Sequence, residues 1–136
     1  MKVTVDANIL FAALIADGET RRLWFNPDVE LYAPEFIVRE FLSKFREITP
    51  KYKGNPLEWE TLVDKTLSHV KLVSDAALTP YLSAASTLIS DSNDWLYVAC
   101  ALKEDTIIWS NDKGFLEQKR IKVKNTTETR KEVGGL

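Results

Sequence analysis

The 136 residues contain one cysteine, Cys100, and one histidine, His69. A lone cysteine forms no intrachain disulfide and no thiolate metal cage. A lone imidazole removes zinc sites built from several histidines and leaves a Ser-His-Asp triad only one candidate base. Positive charge is not in excess either, since 18 Lys and Arg face 20 Asp and Glu for a net charge of −2. Phosphate binding by bulk positive charge is therefore not the signature of this chain. Acids gathered around a cation would lower the total while serving the same ligand. No run approaches the roughly 18 apolar residues that a bilayer span requires. Only Lys2 precedes the first strand-like segment, without a cleavable signal pattern, so the expectation is a cytoplasmic protein with no membrane association. Any catalysis must fall to carboxylates.

Hydrophobic content of 45% and charged content of 28% suit an ordinary soluble core, and the length suits one domain over residues 1–136. Val3, Thr4 and Val5 read as a short buried strand that runs straight into Asp6. Helical spacing follows from Asn8 to Ala16, ended by Asp17-Gly18. A short helix is expected over Thr20 to Phe25, and a strand over Glu30 to Ala33. Pro34 then suits the first position of a helix carrying Phe36, Ile37, Phe41, Leu42 and Phe45. After a loop at 50–56, an amphipathic helix is expected to His69, a strand over Val70 to Val73, and a helix from Ser74-Asp75 to about Ile89. Asp94 to Lys103 reads as a helix and Thr106 to Trp109 as a β-branched strand. Asp112 opens a short helix, and Ile121 to Val123 make a last strand. From about residue 126 the polar tail is expected to be loosely held. Strands alternating with helices imply an α/β fold, a three-layer α/β/α sandwich around a central parallel sheet.

Ligands of such sheets bind beyond the C-terminal strand ends, where this sequence places acids. Asp6 follows the first strand, and Asp112 follows the strand at Thr106 to Trp109. Asp94 opens the helix leading into that strand. Glu40 lies about one and a half turns into its helix, at the margin of the apolar stripe. Two like charges about 4 Å apart repel by roughly 4 kcal/mol at an effective dielectric near 20. A cluster of four persists only when protons or a cation neutralise it. Hard oxygen donors suit Mg²⁺ or Mn²⁺, and a cation so held can activate water and stabilise charge on a phosphoryl oxygen. Taken singly, each acid also has a plain reading. Asp6 and Asp94 could cap helices, Asp112 could be a turn residue, and Glu40 could be a partly exposed helix position.

The stretches VDANIL, VREF, DSNDWLYVACAL and IIWSNDKGF, in this order and spacing, resemble the PIN-domain ribonucleases, including VapC-like toxins. The resemblance extends from Met1 to about Thr127. It implies a Mg²⁺- or Mn²⁺-dependent endoribonuclease, commonly a homodimer and often paired with an antitoxin. By position it assigns the family's acids to Asp6, Glu40, Asp94 and Asp112. Asp6, Asp94 and Asp112 would hold the metal, with Glu40 beside it to orient or deprotonate water. Asn8 and Ser110 would fix the carboxylates or touch phosphate, and Asp91 is a further acid that assists or caps. Members with adjacent acids at the third site have Asn93-Asp94 here, one charge fewer.

Arg39 and Lys113 adjoin Glu40 and Asp112 and are candidates for guiding an RNA backbone. Lys44, Arg46, Lys51 and Lys53 are weaker ones, because a charged helix face is ordinarily just solvated. Trp109 and Trp95 read as packing residues, whereas Trp59 and Tyr52 are the candidates for an exposed interface. Arg21 and Arg22 could meet an antitoxin or only solvent. Cys100 and His69 read as structural. Two other functions compete. A haloacid-dehalogenase-type phosphatase would use Asp6 as nucleophile but wants a second aspartate where Asn8 stands. An inactive PIN-like module would keep the sheet for dimerisation or partner binding.

Overall fold

The computed structural model describes residues 1–134. Five parallel strands form one sheet: β1 (Lys2–Val5), β2 (Glu30–Pro34), β3 (Lys71–Val73), β4 (Ile107–Trp109) and β5 (Val123–Lys124). They lie side by side in the order β3-β2-β1-β4-β5. The chain first builds outward from β1 through β2 to β3, then returns to the other side of β1 for β4 and β5. Because crossovers between parallel strands are right-handed, this reversal sends the two sets of helices to opposite faces. α1 (Ala7–Ile15), α2 (Glu19–Trp24), α3 (Phe36–Ile48) and α4 (Trp59–Ser68) belong to the first set, with α1 packed against the other three. α5 (Asp75–Leu78), α6 (Leu82–Leu88) and α7 (Trp95–Glu104) form the second, with α7 against β1, β2 and β4. The arrangement is a three-layer α/β/α sandwich.

The central strand explains itself chemically. Val3, Thr4 and Val5 are fully buried because both faces of β1 are covered. The hydroxyl of Thr4 is satisfied against Thr106 at 2.6 Å and donates to the Cys100 sulfur at 3.7 Å. Burial pushes the Cys100 thiol up to about 11, so it is an inert packing group at neutral pH. Val3, Val5, Ile9, Leu10, Leu14, Trp24, Ile108 and Trp109 are all closed to solvent and form the middle of the core.

Three departures from the sequence reading have identifiable causes. Pro34 does not start α3 but ends β2, opposite Val73; having no N–H to give, it leaves Glu35 to donate to the Val73 carbonyl at 2.8 Å. The helix expected from Ser74 to about Ile89 is broken. Pro80 cannot donate to a helical ladder, so a 3₁₀ turn over Thr79–Tyr81 separates α5 from α6. The segment from about 126, expected to be loosely held, is instead α8 (Thr126–Val133). Asn125 and Glu128 close a reciprocal capping box at its start. Thr126 accepts hydrogen bonds from Trp109 Nε1 and Asn111 Nδ2, each at 3.1 Å, and its own amide donates to Asn111 Oδ1 at 2.9 Å. No helix among the described residues is long and apolar enough to cross a membrane.

Candidate active site

β1 and β4 pair with Val5 opposite Trp109. One residue further on, at the C-terminal edge of the sheet, Asp6 and Ser110 are therefore neighbours. The Ser110 hydroxyl makes a short hydrogen bond to Asp6 Oδ2, while the Ile9 amide donates to Asp6 Oδ1 at 3.0 Å. Asp6 thus caps α1 and also faces the sheet edge, and the two readings of this residue are not exclusive. Each carboxylate oxygen has a second lone pair, so the side chain keeps acceptor capacity after both bonds. Burial raises the Asp6 pKa above its ordinary value, against the lowering effect of Ser110 and Ile9; Asp112 and Glu40 add to the rise.

Asp112 is placed by the same serine, since its amide donates to Ser110 Oγ at 2.9 Å. Its Oδ1 accepts from the Gly114 amide at 2.8 Å, capping the 3₁₀ turn Lys113–Glu117. Glu40 reaches the edge from α3, half-buried, and its Oε1 accepts from the Tyr97 hydroxyl at 2.6 Å. Tyr97 lies one turn after Asp94 on α7, on the same helix face. Burial, and then its bond to Glu40, hold the phenol far above its usual range, so it donates at any working pH.

Asp94 stands at the start of α7 but caps no helix amide. Its pKa is pushed up to about 6, chiefly by burial, then by Asp91, Asp112, Asp6 and Glu40 in that order. Carboxylates from β1, α3, the α7 start and the β4 end therefore share one electrostatic neighbourhood. Asp91 caps the short turn before α7 by accepting from the Asn93 amide at 3.0 Å.

Other candidates fall elsewhere. Asn8 is exposed on α1 and holds none of these carboxylates among the described residues. Arg39 is taken up by Asp75 at 2.8 Å and lies over the Phe36 ring. Lys113 is exposed and, with Ser110 and Asp112, lines a cavity of about 130 Å³. Lys44 and Arg46 lie on α3 and Lys51 and Lys53 in the turn and loop beyond its end, away from the acids; the Lys53 amide meets the Ile15 carbonyl, at the opposite end of α1 from Asp6. Trp59 is only 8% exposed and lies 4.9 Å from Tyr52, so it is a packing residue and not an open stacking platform. Arg21 closes the end of α1 through the carbonyls of Ala13 and Leu14. Tyr97 and Asn111 are the contributors that sequence reasoning missed. The three-residue spacing of Asp94 and Tyr97 was the available signal for the first.

The family model for the PIN domain matches residues 4–133. The chain belongs to the PIN-domain family. PIN domains are generally nucleases, which sets the chemistry at a coarse level as hydrolysis of nucleic acid, and such nucleases typically use divalent metals. No curated protein matches the chain. Among solved structures, VapBC2 from Rickettsia felis, bound to a DNA fragment from their promoter, aligns with a TM-score of 0.65 at 20% identity. That alignment covers 92% of this chain and 98% of the other, and at this identity it speaks for the fold. The donor set in this PIN domain is hard carboxylate oxygen, which suits Mg²⁺ or Mn²⁺. Among the described residues, no group of three or more His, Cys, Asp or Glu is gathered into a ready cage. Mg²⁺ keeps several of its own waters and is usually bound through one or two carboxylates, so an open set of acids fits it and a closed one is not required.

Proposed function

We propose that this PIN domain is a Mg²⁺- or Mn²⁺-dependent endoribonuclease, the toxin of a toxin–antitoxin pair, acting in the cytoplasm as a homodimer. The observation that carries the reading is Asp94. A helix-start aspartate that caps nothing and is held near pKa 6 by burial, then by Asp91, Asp112, Asp6 and Glu40, is costly to keep unless its charge has a use. Likeness of fold to VapBC2 supports the toxin assignment.

Asp6, Asp94 and Asp112 would hold the cation, with Glu40 beside them. The bound cation would supply an acidified water and a counter-charge for the phosphoryl oxygens. The chain's own groups do the rest. Ser110 and the Ile9 amide fix both oxygens of Asp6, so the carboxylate does not have to be ordered when substrate arrives. Tyr97 fixes one oxygen of Glu40 and leaves the other to accept the proton of the attacking water. The Gly114 amide does the same for Asp112 through Oδ1, leaving Oδ2 as the oxygen available to the cation. Lys113, exposed beside Asp112, offers a positive charge to the scissile phosphate.

A second reading, a PIN-like module that dimerises or binds a partner without turnover, draws on the open spacing of the acids. One assay separates the two. Purified protein is offered unstructured and structured RNA with Mn²⁺, with chelator, and as the Asp6→Asn variant. The proposal expects internal cleavage that disappears with chelator and in the variant, while circular dichroism stays unchanged. Cleavage that persists in chelator excludes the metal, and undiminished cleavage by Asp6→Asn removes that residue from the site.

A further inference from the structure

The Gln118–Lys124 stretch carries Lys119, Arg120, Lys122 and Lys124 and no acid, in a chain whose net charge is negative. It is built with care. The buried Gln118 amide donates to the carbonyls of Phe115 and Ile121 at 3.1 and 2.9 Å, and its oxygen accepts from the Ile121 amide at 2.7 Å. With Ile121 buried as well, the turn is stapled from inside, and Lys119 and Arg120 are thrown outward at its tip. Three of the acids around it are already engaged. Ser90 holds Glu117, the capping box holds Glu128, and Lys124 pairs with Glu132. Lys119, Arg120 and Lys122 make no ion pair among the described residues.

These cations stand on a surface continuous with the acids. The cavity lined by Ser110, Asp112 and Lys113 extends to Leu116 and Val123. A second cavity, of about 340 Å³, begins at Leu116 and Val123 and reaches Lys119, Arg120 and Lys122. A third, of about 680 Å³, takes up Arg120 and Lys122 and continues to Lys2, with Asp105 and Glu132 also on its wall. The first two make a trough along the edge of β5 from Asp112 to the basic turn, and the third continues from that turn past the N-terminal ends of β1 and β4. The three residues Lys122 to Lys124 cover about 10 Å of that path at the usual strand rise.

We propose that this trough carries the segment of single-stranded RNA flanking the cleaved bond, with Lys119, Arg120 and Lys122 on its phosphates. The inference rests on the ribonuclease reading. Unpaired cations on a fixed turn, opposite a polyanion, supply the affinity. Cavities that bend from the sheet edge around that turn follow a flexible single strand more readily than a straight duplex.

The test replaces Lys119, Arg120 and Lys122 together with glutamine; all three are exposed, and a matched melting curve checks the fold. RNA binding is measured on the Asp6→Asn background across salt, and cleavage of a long and a very short RNA is compared on the wild-type background. Three lost phosphate contacts lower the slope of log affinity against log salt by about 2 for a single strand. Raising salt from about 50 to about 200 mM then weakens the parent roughly 20-fold more than the triple variant. The ratio of long-substrate to short-substrate cleavage falls about tenfold, by the same order of lost affinity. An unchanged salt slope and an unchanged ratio, in a protein that still cuts RNA, overturn the trough alone. Absence of RNA cleavage in the wild type overturns the ribonuclease reading first. Retention of the salt-slope difference in that case would keep the trough as an RNA-binding surface, and its loss would end both.

Discussion

Consider replacing Asp94 with asparagine in protein stripped of divalent metal. Asp94 titrates near 6 in the fold against an ordinary 3.8, so the folded protein holds a proton that the unfolded chain has already released across that interval. The destabilisation is absent below about pH 3.8, grows as pH rises toward 6, and is constant above. Taken at face value, a shift of about two units corresponds to about 3 kcal/mol. Asp94 is only half-buried, however, and solvent screening reduces the usable figure to about 1 kcal/mol. Asparagine keeps the shape and removes the charge. For a domain of this size the variant should melt about 4 °C above wild type at neutral pH in chelator. Near pH 4 the two should melt together. Calorimetric scans at both pH values read the difference directly. Added Mn²⁺ should then stabilise the wild type more than the variant and shrink or invert the gap, because a ligand that binds only the folded state stabilises it by an amount that grows with the logarithm of its concentration relative to Kd. A variant that is equally or less stable at neutral pH, or a gap that does not change with pH, would refute the claim that a half-buried negative charge among other acids strains this edge.

Three further outcomes follow from named contacts. Tyr97→Phe removes the hydroxyl that holds Glu40 and should lower cleavage about 10- to 100-fold at unchanged fold, a loss in line with freeing a group that orients catalysis; steady-state rates on one RNA read it, and an unaltered rate would remove Tyr97 from the site. A Cβ at Gly114 would come within 3.2 Å of Asp112 Oδ1, so Gly114→Ala should weaken Mn²⁺ affinity in titration calorimetry while shifting the melting temperature by no more than a degree or two, an exposed-site change of within about 0.5 kcal/mol. Asn125→Ala breaks the capping box of α8 and should destabilise by about 1 kcal/mol in urea unfolding; no change would mean that the helix is held by its other contacts alone.

What could be read from the sequence, and what could not, divides along local and non-local lines. All five strands fall within a residue or two of their expected positions. β1 and β4 do so because a strand covered on both faces demands a continuous apolar run. The edge strands β3 and β5, which carry Lys71 and Lys124 and are partly exposed, do so because short β-branched segments follow a helix or turn there. Asp6 and Asp112 were legible at the sheet edge because both follow strands directly. Pro34 was ambiguous because the same ring suits a helix start and the last residue of a strand, and only the partner strand decides. Trp59 and Tyr52 looked like an exposed pair from their setting near a polar loop, yet they close over one another and Phe45. Asn8 has the right spacing from Asp6 but, on a helix, two residues turn a side chain away from its predecessor. The order of the C-terminal segment depends on Thr126 meeting Trp109 and Asn111, a contact across the sheet edge that no local pattern announces.

That junction has a mechanical consequence. One threonine hydroxyl serves an indole from the floor of the sheet and an amide beside Asp112, so the last helix behaves as a latch whose catch sits next door to the acids. Drawing α8 away would break these bonds together and release Asn111, the residue before Asp112. The seating of the last helix and the backbone beside Asp112 are thereby one mechanical unit, so a shift in the first is felt at the second.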